Sequence, residues 1–211
     1  MKKMIVNKIM RNISQNYNYD EIKLKEIQYG LETIYLTITK FIILIIISLI
    51  IGTIKELLYF ILFYSIIRLA GFGLHAKKAW HCWVLSLTLF TLIPFLIKIL
   101  IIKRIIINII FIACGILFIL YAPADTEKRP LVHKNKRIAF KVITLIITII
   151  YFILTFYTNY IICNSIVFAI IMQSIMILPI SYKLLGLKYD NYKSYKKGGT
   201  KWNYLQVLLL F

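Results

Sequence analysis

Long apolar runs separated by short clusters of cations dominate the chain. A helix needs about 20 predominantly apolar residues to cross a bilayer, and runs of that order recur. Residues 34–54 form the first, broken only by Lys40 near one end, where an ammonium can snorkel to the headgroups. Residues 56–72 follow with Arg68 embedded in them, and residues 83–102 carry Pro94 and Lys98. Residues 105–124 hold no charge, and neither does the stretch 142–182. The latter is about twice the length of one span, so it divides into two helices. The turn between them is expected in the polar cluster from Thr158-Asn159 to Asn164-Ser165. The pattern thus predicts an all-α, polytopic membrane protein of about six transmembrane helices, the second and third weaker than the rest. The richness in Ile would favour strands in water, but lipid offers no hydrogen bonds to an open backbone, and barrel-type alternation is absent.

Ahead of the first span, Ile5, Val6, Ile9, Met10 and Ile13 share one helical face, with Lys8 and Arg11 opposite. Residues 1–15 therefore read as a basic amphipathic helix lying in the inner interface against anionic lipid. The first long apolar run starts about thirty residues in, with no small-residue cleavage site before it, so no cleavable signal is expected. The organisation is a single integral-membrane domain over 1–211. It comprises an N-terminal interfacial segment (1–33), a transmembrane region (34–185) and a basic C-terminal tail (186–211). No internal repeat supports an inverted-repeat transporter.

Composition sharpens this picture. Hydrophobic residues make up 61% of the 211 and charged residues 16%, against about 45–50% and about 25% in soluble domains. A soluble enzyme and a disordered chain are both excluded. Lys and Arg number 26 against 8 Asp and Glu, a net charge of +18. Nucleic acid is the usual partner of such a balance, but here the cations are dispersed between apolar runs, and no nucleic acid is expected. Alternate segments hold most of them: the N-terminal segment, Lys77 and Lys78, then Lys128, Arg129, Lys134, Lys136 and Arg137, then the C-terminal tail. The positive-inside rule assigns these segments, and both termini, to the cytoplasm. Lys98, Lys103 and Arg104 fall on the opposite side and do not fit.

One segment differs from lipid solvent. Residues 68–83 bring together Arg68, Gly71, Gly73, His75, Lys77, Lys78, His81 and Cys82 at a span boundary. The glycines allow positive φ or close backbone approach and so break the second span. Cys82 then opens the third, where the free amides and dipole of a helix N-terminus, with Lys77 and Lys78 nearby, stabilise a thiolate. Cys114 lies mid-span and Cys163 near a turn, neither with a charged neighbour, and three scattered cysteines are no disulfide framework. On an unbroken helix His75 would stand about 10.5 Å along the axis from Cys82, too far for proton transfer, so that pair needs a bend between its members. His81 is adjacent but points elsewhere. Metal binding by His75, His81 and Cys82 lacks a fourth ligand. A plain interfacial helix end, with Trp80 and Trp83 as belt anchors, accounts for the same residues. Arg68 is expensive in lipid and marks either a buried partner, Glu56 or Asp125, or a substrate contact.

Taken together, Arg68, Gly73, His75-Ala76 and Cys82 resemble the signature of the accessory gene regulator B (AgrB) family, membrane-embedded cysteine endopeptidases of Gram-positive quorum sensing. The loop Ala122-Pro123-Ala124-Asp125-Thr126-Glu127-Lys128-Arg129-Pro130-Leu131, the length and the multi-span layout are similar to the family as well. The family's glycines are adjacent, whereas Phe72 splits Gly71 from Gly73; His75 and Cys82 keep the family spacing. The resemblance implies that the enzyme cuts the C-terminal tail from a small AgrD-like propeptide and closes it into a cyclic (thio)lactone. It implies Cys82 as nucleophile and His75 as general base and acid. Asp125 would orient His75 or merely end a span, and Arg68, Lys77, Lys78, Lys128 and Arg129 would bind an acidic substrate tail. It further implies a homodimer in the plasma membrane, with the active site on the cytoplasmic side. No cofactor or metal is needed for this chemistry. A small multi-span transporter or peptide exporter without protease activity is the rival expectation, and it leaves His75 and Cys82 unexplained.

Overall fold

The computed structural model describes residues 2–17, 19–74, 79–126 and 130–195, with the backbone alone for 2–3, 79–82 and 194–195. Residues up to 46 and those from 47 to 195 fall into separate compact units.

The first unit holds α1 (Lys2–Asn16) and most of α2 (Glu21–Ile51). In α1, Val6 is buried whereas Ile5 and Ile9 remain exposed. The second helix begins well before the apolar run that announced it. Asp20 supplies the reason, its Oδ1 accepting from the Lys23 amide at 2.9 Å, which is the bond an N-cap residue makes to an otherwise unpaired donor. Glu21 adds a negative charge to the first turn.

The second unit opens on the last residues of α2, which stops at Ile51 rather than at residue 54 because Gly52 takes φ +72°. There follow α3 (Ile54–Gly71), α4 (Ala79–Ile99), α5 (Arg104–Tyr121), α6 (Lys134–Tyr157) and α7 (Tyr160–Ile177). The short α8 (Pro179–Leu184) and α9 (Tyr192–Tyr195) complete it. No strand occurs among the described residues. The centre is α7, against which α3, α4, α5, α6 and α8 all pack. Asn164, Ser165, Gln173 and Ser174 lie in α7 and are all buried. A helix with four polar side chains keeps them from lipid by taking the middle of the bundle. The turn expected between Thr158 and Ser165 is therefore shorter than the polar cluster suggested. Only Thr158 and Asn159 break the helix, Asn159 Oδ1 capping the Ile162 amide at 3.0 Å. Extended Leu178 and the following Pro179 end α7 before Tyr182.

By length and composition four helices can cross a membrane: α2, α5, α6 and α7. The remaining two of the six expected spans, α3 and α4, are the ones the sequence marked as weaker. Lys55, Glu56 and Arg68 interrupt α3, and the apolar part of α4 runs over only Trp83–Ile99.

Helix C-termini leave carbonyls without intrahelical donors, and lipid cannot supply them. Side chains do so here for each of α2 to α7. Lys98 donates to Gly52 O after α2 (2.9 Å), and Arg68 to the carbonyls beyond α3. Asn164 Nδ2 reaches Ile97 O (3.3 Å) and Leu100 O (2.7 Å) at the end of α4. Lys141 Nζ reaches Ile119 O of α5 (2.7 Å), and Arg104 Nη1 reaches Thr155 O of α6 (3.1 Å). Ser181 Oγ closes α7 through Ile175 O at 2.6 Å. Lys98 and Arg104 thus acquire a structural task, and the Arg104 guanidinium also stacks 3.4 Å above the centre of the Phe156 ring. Asn164→Leu, which keeps the branching and heavy-atom count of the side chain, is expected to strand two carbonyls and cost about 1–3 kcal/mol. A clear fall in Tm in detergent checks it; an unchanged Tm would remove the cap from the account.

Candidate functional site

At the opposite end of the bundle the C-termini of α3, α5 and α7 converge on one short strap of chain, residues 71–74. The last helical residue of α3 is Gly71, and Phe72 then takes φ 55°, a left-handed conformation costly to a side chain with a Cβ. Gly73 follows at φ +116°. An added Cβ on Gly73 would lie 2.8 Å from Met176 O, too close for any real contact, and also against Arg68 Nη1. The expectation that these glycines break the span and permit close backbone approach is met in both respects.

Hydrogen bonds fix the strap from three helices. Gly73 N donates to Ala124 O (2.8 Å) and Ala124 N to Gly71 O (3.2 Å), a single parallel bridge to the chain after α5. Leu74 N donates to Met176 O near the end of α7 (3.0 Å). Arg68 Nη1 donates to Phe72 O (2.8 Å), while Nη2 donates to Gly73 O (3.3 Å) and Leu74 O (2.6 Å). Gln173 Nε2 adds a second donor to Phe72 O at 2.8 Å. The partner expected for Arg68 was an acid, Glu56 or Asp125. Its guanidinium instead serves three carbonyls, because a fork of donors fits a tight turn of acceptors as well as it fits a carboxylate. The Phe72 ring packs edge-on against Phe140.

Beside the strap lies Asp125, 3% exposed. Its carboxylate accepts from three backbone amides: Asn191 (2.9 Å), Tyr192 (2.7 Å) and Leu131 (3.2 Å). Tyr182 Oη donates to Ala124 O and Asp125 O. Burial pushes the Asp125 carboxyl above its ordinary range and nearby Asp190 adds to this, while the three amides pull the other way. The loop after α5 is thereby tied to the chain after α8. Arg137 stacks 3.6 Å above the centre of the Tyr192 ring and strengthens the same junction.

Cys82 lies in the first turn of α4 by its backbone, and the chain direction puts that turn at the strap's end of the bundle. His75, Lys77, Lys78, Lys128 and Arg129 lie outside the described residues. The strap ends at Leu74, immediately before His75, so both flanks of the His75–Cys82 pair belong to this end. The other two thiols are buried and free, Cys114 donating to Ser174 Oγ at 3.5 Å. Sequence reasoning passed over Gln173, Tyr182 and the amides of Asn191 and Tyr192. Of these, only a glutamine inside an apolar run gave any signal to follow.

The model of the family described as accessory gene regulator B (AgrB) matches residues 3–177 of the chain. An AgrB-like protein of Clostridium acetobutylicum is 31% identical over 201 residues, covering 93% of this chain and 96% of that protein. An AgrB-like protein of Listeria innocua is 34% identical over 181 residues, 84% of this chain and 87% of its own length. The accessory gene regulator protein B of Staphylococcus haemolyticus is 29% identical over 186 residues, 85% of this chain and 97% of its own. No solved structure matches.

Proposed function

The chain belongs to the accessory gene regulator B family, and from that premise we propose that it is a membrane-embedded cysteine endopeptidase with Cys82 as nucleophile and His75 as general base. Family membership itself implies a part in processing the quorum-sensing peptide of an accessory gene regulator system, with an AgrD-like propeptide as partner. The observation that carries the finer reading is the strap. Every backbone hydrogen-bonding group described for it, from Gly71 O to Leu74 O, is engaged, and it delivers the chain to His75 four residues before α4 begins. A base seven residues from its nucleophile requires a bend between the two, since an unbroken helix would hold them about 10.5 Å apart.

In the proposed reaction His75 accepts the Cys82 proton, and the thiolate, favoured by the amides that open α4, attacks the scissile carbonyl. Collapse of the tetrahedral intermediate breaks the C–N bond, His75 returns the proton to the departing amine, and a thioester links Cys82 to the propeptide. An internal Cys or Ser of the propeptide then attacks that thioester, closes the ring and regenerates the Cys82 thiol. Amides in the first turn of α4 are the candidates for holding the oxyanion. A site at the membrane interface limits competing hydrolysis. Lys77, Lys78, Lys128 and Arg129 would receive an acidic tail, with Asp125 orienting the base or its loop. The active site would face the cytoplasm, in a homodimer. A transporter would also account for a charged residue within a span, but the Arg68 guanidinium caps a turn, so that residue does not favour it.

The test is reconstitution in vesicles with a propeptide labelled on its C-terminal tail. Release of the tail together with a hydroxylamine-sensitive covalent adduct of enzyme and propeptide is expected. Tail release without any adduct would rule out the thioester route.

A further inference from the structure

One side chain grips the strap from the centre of the bundle and has no part in the chemistry described above. Gln173 lies in α7 and is wholly buried. Its Nε2 donates to Phe72 O at 2.8 Å, and it presses so closely on α3 that a Cβ on Gly71 would sit 2.5 Å from the same nitrogen. Its Oε1 is also buried and has no partner among the described residues.

A buried amide with an idle acceptor is a poor way to fill space, because the unpaired oxygen loses its water and gains nothing. Methionine has a similar length and would pack there without that penalty. What glutamine alone adds is the donor to Phe72 O. That carbonyl heads the peptide between Phe72, strained at φ 55°, and Gly73, at φ +116°. Glycine offers no side chain to pin such a peptide, so its orientation depends on its own hydrogen bonds: Gly73 N to Ala124 O on one side, and Arg68 Nη1 and Gln173 Nε2 on its oxygen. The tilt of this peptide sets the direction in which Leu74 leaves, and His75 follows Leu74.

We infer that Gln173 is a positioning residue for the proposed peptidase reaction: by holding the Phe72–Gly73 peptide from α7, it aims the chain that carries His75 toward the start of α4. The inference rests on the peptidase reading and requires no contact between Gln173 and His75.

Gln173→Met separates this role from packing. Purified wild type and variant in nanodiscs are compared for Tm and for the kcat and KM of propeptide tail release. The expected result is an unchanged or higher Tm, because the idle oxygen is gone. The kcat falls about tenfold or more, as a misplaced base costs rate steeply, while KM stays within about twofold, the pattern of an interaction felt only in the transition state. An unchanged kcat overturns the inference. A Tm lowered by several degrees, or a variant that fails to fold, also overturns it and makes Gln173 a packing residue. A Cys82→Ala protein that still releases the tail would strike the peptidase reading itself, and this inference with it, whereas an active variant beside an inactive Cys82→Ala strikes only the role of Gln173.

Discussion

Cys82→Ala is expected to abolish tail release from the co-expressed propeptide, with Cys114→Ala and Cys163→Ala both continuing to cleave. Loss of an attacking thiol removes the covalent route altogether, and nucleophile deletions of this kind cost about four orders of magnitude or more. His75→Ala should be equally inactive, since a residue set acting as one unit is strongly non-additive. The two control cysteines are placed differently. Cys114 is 6% exposed, inside the core shared by α5 and α7, and Cys163 is 7% exposed in the first turns of α7. Removing either sulfur trims packing and lowers Tm slightly, with no reason to stop chemistry. Gel and mass analysis of the propeptide fragments reads all four variants. Cleavage that survives Cys82→Ala would end the cysteine-peptidase reading.

The second large effect belongs to Gly73→Ala. An alanine at φ +116° costs about 1–3 kcal/mol from the backbone alone. The new methyl would also fall 2.8 Å from Met176 O, a rigid backbone atom that already accepts from Leu74 N. Relief requires the strap to leave α7 or Arg68 to leave the turn, and either displaces the chain before His75. Tail release should fall below detection while the protein still reaches the membrane. Gly115→Ala is the matched control: nothing lies within 4 Å of its added Cβ, and alanine is the better helix former by about 1 kcal/mol. It should keep full activity and an equal or higher Tm. Wild-type cleavage by Gly73→Ala would mean that the strap does not control the site.

Much of this arrangement is legible in the sequence, and the gaps have a common cause. Apolar run length located α2, α5, α6 and α7, and paired glycines located the end of α3 with its positive φ. By residue type Arg68 points to an acid or to a substrate, and Lys98 and Arg104 to no partner at all. Their actual acceptors are backbone carbonyls, which every residue possesses and which therefore leave no mark on residue identity. Gln173 stands out only as a polar residue inside an apolar run, and its acceptor, Phe72 O, is unmarked for the same reason. Asn164 and Ser165 read as turn residues because polar residues in water mark loops; in a bundle bathed by lipid they mark the helix at the centre. Asp125 shows the limit from the other direction. Its residue type suggested a partner for a histidine, whereas the groups that meet it are backbone amides, that of 131 from its own loop and those of 191 and 192 from a segment distant in sequence.

The borrowed helix ends also bear on how such a chain can be assembled or cut. Lys141 of α6 caps α5, and Arg104 of α5 caps α6, so this antiparallel pair carries its own donors at both ends. The end of α4, by contrast, depends on Asn164, and so on a helix made some sixty residues later. A fragment stopping after α6 would keep one self-sufficient hairpin and leave α4 with bare carbonyls. In that sense the bundle holds one closed hairpin, α5 with α6, and one helix, α4, whose end is completed only when α7 arrives.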